Sequence, residues 1–107
     1  MMQRFFQLFR GGPRARRSVE ITLQDQWVLK VLLGAGDRWV GEEAIIEEAT
    51  TERPTLLPHE LVMAILKLQL MGYLETDGQG KLRISKKGRK LRDIIPERPG
   101  VNIEYYG

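Results

Sequence analysis

A mostly α chain with one small antiparallel β-hairpin, an α+β fold, is what three features of this sequence predict. Leu74-Glu75-Thr76 and Leu82-Arg83-Ile84 alternate apolar and polar residues around Asp77-Gly78-Gln79-Gly80, the pattern of two half-buried strands joined by a glycine-containing turn. An apolar helical stretch leads into this hairpin and ends at Leu70-Met71-Gly72, where Gly72 suits a left-handed cap. Directly after the hairpin, Ser85 caps a basic helical run, Lys86-Lys87-Gly88-Arg89-Lys90-Leu91-Arg92. A length of 107 residues allows one domain with one modest core.

Taken in order, residues 1–18 read as an aromatic arm followed by a basic linker, 19–95 as the domain and 96–107 as a C-terminal tail. The arm holds Phe5, Phe6, Leu8 and Phe9 between Arg4 and Arg10. Its apolar stretch is too short for a signal-peptide core, and no small-residue cleavage site follows. Gly11-Gly12-Pro13-Arg14-Ala15-Arg16-Arg17-Ser18 has the composition of a flexible linker. The first helix starts near Thr22, with Asp25 three residues on as a capping box. Leu23, Trp27 and Val31, flanked by Val28 and Leu32, recur at helical spacing, so Trp27 is a core anchor; Gly34-Ala35-Gly36 ends the helix. Arg38-Trp39-Val40 is extended and placed to pair with the hairpin as a third strand. A second helix spans about Glu42–Thr50, with Ala44, Ile45, Ile46 and Ala49 as its buried stripe. Pro54 breaks the turn that follows, and a third helix begins at Pro58, a residue suited to a first helical turn. Beyond Pro96 and Pro99, Val101 to Tyr106 alternates weakly and reads as either a tail or an added strand.

The formal net charge of +3 hides strong segregation. Residues 1–17 carry five arginines and no acid, and residues 81–92 carry seven bases and no acid. Residues 41–60, in contrast, carry six glutamates against Arg53 alone. Clustered bases are the footprint of a phosphate-binding surface, or else a solvated face that keeps a small protein soluble. The absence of cysteine excludes disulfides and thiolate ligands, and one histidine is too few for a zinc site. His59 has no acid or nucleophile at a catalytic spacing, and Gly78-Gln79-Gly80 is not followed by the helix that a phosphate loop needs. Glu42-Glu43 and Glu47-Glu48 read as the solvated face of the second helix rather than as metal ligands. The expectation is a cytoplasmic protein with no catalytic residues, no metal and no cofactor.

Helix, short strand, acidic helix, turn, long helix, basic wing and basic helix is the order of a winged helix-turn-helix domain. The chain resembles winged-helix regulators of the MarR and PadR kind over roughly residues 20–95. Trp39-Val40 before Glu42-Glu43-Ala44-Ile45, Leu66 through Glu75, and Ile84-Ser85-Lys86-Lys87-Gly88-Arg89-Lys90-Leu91 carry the resemblance. It implies a sequence-specific DNA-binding dimer, with the third helix in the major groove and the wing on the backbone.

The third helix departs from that pattern. At about 100° per residue, Leu61, Ile65 and Leu68 fall on one face with Ala64 at its edge, the core stripe. Val62, Met63, Leu66 and Leu70 gather on a second face where a DNA reader offers Arg, Lys, Asn, Gln, Ser or Thr. A helix apolar nearly all round is buried on both sides. The cover is either the domain's own interior, with no functional meaning, or one of the aromatic arm, a second protomer and a different protein. The arm also admits a membrane-interface reading, weaker than its folding back onto the domain.

The leading expectation is therefore a duplex-DNA-binding transcription regulator acting as a homodimer. Its affinity comes from Lys81, Arg83, Lys86, Lys87, Arg89 and Lys90, with Arg14, Arg16 and Arg17 as a flexible basic arm. The alternative is an adaptor that binds a protein partner through Val62, Met63, Leu66 and Leu70.

Overall fold

Thr22 starts the first helix as its side chain requires. Its Oγ1 accepts from the Asp25 amide at 3.1 Å, and the Asp25 carboxylate accepts from the Thr22 amide at 2.9 Å, which satisfies two donors that a helix start leaves open. The computed structural model describes residues 18–106. The aromatic arm, Arg14, Arg16 and Arg17 lie outside the described residues. Within them the chain forms β1 (Ser18–Ile21), α1 (Leu23–Ala35), α2 (Glu42–Glu52), α3 (Pro58–Leu70), β2 (Leu74–Thr76), β3 (Leu82–Ile84), α4 (Lys86–Arg89), a 3-10 turn (Arg92–Ile94) and β4 (Ile103–Tyr106). This is an α+β domain with two small antiparallel sheets.

The three long helices share one core. Val28, Leu29 and Leu32 of α1 meet Ile45 and Ala49 of α2 and Leu61, Ile65 and Leu68 of α3, all buried; Trp27 is 4% exposed, the anchor expected from its spacing. The stripe of α2 is narrower than its sequence suggests. Ala44 is exposed and Ile46 half-buried, because α2 contacts the other helices through Ile45 and Ala49, one turn apart. The helix also runs to Glu52, past the expected Thr50.

Gly72, at φ 84°, turns the chain out of α3, and the Tyr73 amide reaches back to the Leu68 carbonyl at 2.9 Å. Only glycine enters this region without strain, so the stop is built into the residue. β2 and β3 then pair as predicted, Leu74 opposite Ile84 and Thr76 opposite Leu82. Between them the Asp77 carboxylate accepts from the Gln79 and Lys81 amides at 2.7 and 3.0 Å. Val40 and Leu82 exchange two backbone hydrogen bonds of 2.8 Å, so the segment around Trp39 meets the hairpin at a single bridge rather than as the full third strand expected.

The second sheet joins the two ends of the described chain. β4 pairs with β1, Ser18 opposite Tyr106 and Ile21 opposite Ile103, so the last segment is an added strand, and Ser18 belongs to a strand rather than to the linker. Val19, Ile21, Ile103 and Tyr105 pack on the core, while Glu20 and Glu104 face each other on the outer side. Two long-range contacts fix the segment. Buried Gln26 donates from Nε2 to the carbonyls of Ile21 and Val101, and the Asn102 side chain accepts from the Leu23 amide at 2.9 Å, capping α1 from the far end of the chain.

Candidate nucleic-acid interface

The basic residues around the hairpin divide into two groups by what they touch. Arg83 stacks its guanidinium on the Trp39 ring, 4.0 Å from the centroid, and pairs with Glu75 across β2 and β3 at 3.5 Å. Lys87 donates to the Met71 carbonyl at 2.8 Å and lies 4.9 Å from the Tyr73 ring centroid, so it caps the end of α3. A cation against the last carbonyls of a helix also meets the negative end of its dipole. Arg89 donates to Asp37, and that bond holds the Asp37 carboxyl below the usual carboxylate range. These three positions are tied to the fold.

Lys81, Lys86 and Lys90 are exposed, and no carboxylate among the described residues pairs with them. Lys81 stands at the hairpin turn. Lys86 and Lys90 open and close α4, four residues apart and therefore on one side of it. Asp77, the acid nearest Lys81 in sequence, is turned to the backbone: the Gln79 amide, then that of Lys81 and last the Lys81 charge hold its carboxyl below its ordinary range. Ser85 positions the group, since its Oγ accepts from the Gly88 amide at 3.0 Å and donates to the Gly72 carbonyl at 2.6 Å.

The second face of α3 is open. Met63 is 64% exposed, Leu66 51% and Leu70 88%, with Val62 half-buried beside them, while Leu61, Ala64, Ile65 and Leu68 carry the core as expected. At the start of the helix, where a DNA reader contacts base edges, Pro58 and His59 are exposed and the Glu60 carboxylate accepts from Gln24 Nε2 at 3.0 Å. Near Met63 a groove of about 350 Å³ opens between α1 and α3, lined by Thr22, Gln24 and Asp25 on one side and Glu60, Met63, Ala64 and Lys67 on the other. Lys67 spans it, pairing with the buried Asp25 carboxylate at 2.5 Å. Neither the groove nor this ion pair follows from a linear pattern, because both join α1 to α3, and Asp25 and Lys67 lie 42 residues apart in the sequence.

Comparison with protein families, with curated proteins and with solved structures finds no match. Among the described residues, no helix is long and apolar enough to cross a membrane.

Proposed function

We propose that this chain is a non-enzymatic winged-helix domain that binds duplex DNA through phosphate contacts of its wing and α4, in a transcription-regulator role. The observation that carries the reading is the group Lys81, Lys86 and Lys90, three exposed bases without an acidic partner among the described residues. Phosphate contacts position a protein on the duplex without reading its sequence. The apolar outer face of α3 supplies no hydrogen bonds to base edges, so this domain discriminates weakly between sequences.

The test is a salt titration of duplex binding. Three phosphate contacts give a slope of roughly −2.7 in log affinity against log salt. The variant Lys81→Ala/Lys86→Ala/Lys90→Ala is expected to flatten that slope and to weaken binding alike on unrelated duplexes. Lack of duplex binding at low salt, with the protein folded, refutes the proposal.

A second reading, a protein-interaction module with a second copy of the chain as its simplest partner, draws support from the exposure of Met63, Leu66 and Leu70. An apolar helix face this open is an interface signature. Leu66→Glu is expected to leave thermal stability within about 0.5 kcal/mol of the parent, as for other surface changes, while abolishing any dimer. A strongly destabilised variant would show that Leu66 is internal.

A further inference from the structure

We infer that the open face of α3 is the seat of this chain's own N-terminal arm, with Phe5, Phe6, Leu8 and Phe9 packed along Met63, Leu66 and Leu70 and into the neighbouring groove. The inference does not rest on the DNA reading. Three observations select the arm from the possible occupants.

Where the described chain begins is the first. Ser18 opens β1, and only four residues later Thr22 lines the groove, so Ser18 starts within roughly 13 Å of it. β1 also touches α3 directly, since Lys67 Nζ lies 3.5 Å from the Glu20 carbonyl oxygen. The nine residues from Phe9 to Ser18 span up to about 30 Å, and α3 itself is about 20 Å long, so the arm reaches every part of the face.

The second is composition. The large apolar side chains before Ser18 are gathered into Met1 to Phe9, and the exposed stripe of Met63, Leu66 and Leu70 is apolar in turn. Charge is the third. The groove holds two carboxylates, Asp25 and Glu60, against Lys67 alone, and Asp25 Oδ1 accepts no hydrogen bond from any described residue. The outer face of the β1–β4 sheet adds Glu20 opposite Glu104. The arm brings Arg4, Arg10, Arg14, Arg16 and Arg17 and no acid. A generic apolar partner answers the stripe; this segment answers both the stripe and the charge at its border.

The native sequence contains no cysteine, so Gln7→Cys in the full chain accepts a single nitroxide label. Methyl NMR spectra of dilute protein are recorded with the label oxidised and reduced. The expected result is loss of most of the Met63, Leu66 and Leu70 methyl signal in the oxidised form, unchanged on further dilution. The reduced form, in which the methyls of the buried core such as Ile45 remain sharp and dispersed, reports that the domain is folded. Adding Phe5→Ser, Phe6→Ser and Phe9→Ser restores the three signals. Sharp α3 methyls in the folded, oxidised protein would overturn the inference. So would broadening that appears only when labelled chains are mixed with separate isotope-enriched chains, because the occupant is then a second copy.

Discussion

Gly88→Ala is expected to lower stability by about 1–3 kcal/mol, the ordinary cost of forcing extra volume into a packed site. In an open helix the same change has the opposite sign, since alanine is the better helix former by about 1 kcal/mol. The surroundings reverse it. A Cβ at this position runs into the Tyr73 carbonyl oxygen and comes within 2.8 Å of Ile84 Cγ1. The carbonyl has little freedom to move away, because it accepts from the Ser85 amide at 2.9 Å and its own residue is anchored through the Leu68 carbonyl. For a domain of this size the loss corresponds to a fall in Tm of about 4–8 °C for each kcal/mol. Thermal and urea unfolding of the variant measure it, and an unchanged or raised Tm would contradict the packing described around α4.

Asp25→Ala is the second large effect, with an expected loss of about 2–3 kcal/mol. The carboxylate is 1% exposed and serves two partners, the Thr22 amide and Lys67. Removing a helix cap costs about 1 kcal/mol, and a hydrogen bond to a charged group contributes about 1.5–3 kcal/mol. The two do not simply add, because Lys67 is partly open to solvent and regains hydration when its partner goes. A double-mutant cycle with Lys67→Met separates them. The cap loss belongs to Asp25 alone, whereas the coupling between the two positions reports the ion pair. Zero coupling would mean that the α1–α3 groove is held open by packing only.

The elements that could be read from the sequence are those specified by neighbours in the chain. Thr22 with Asp25, Gly72 after Leu70, and Ser85 before Lys86 are local signals whose physics is complete within a few residues, and each sits where it was expected. The β1–β4 sheet was not readable in this way. Its strands are four residues long, their alternation is weak, and Gln26 and Asn102 hold them through partners 75 and 79 residues away. The same distinction runs through the candidate site. Charge counting found all six bases of the hairpin and α4, but only three-dimensional placement separates Arg83 on Trp39 from Lys81, or Arg89 on Asp37 from Lys90. Exposure of Leu66 and Leu70 was likewise open, since an apolar stripe has the same spacing whether it is covered or bare.

Pairing Ser18 with Tyr106 gives the domain a mechanical property. The strands are antiparallel, and the outermost described residues occupy the same end of the ladder. A pull applied through Ser18 and Tyr106 therefore loads the rungs one at a time, as in opening a zip, rather than shearing them together. The pair also closes a loop of nearly the whole described chain, so its formation carries the largest closure entropy in the domain and contributes the longest-range contacts to its folding. With Glu20 opposite Glu104 adding a like-charge rung, this clasp is expected to be the first point of yielding under tension.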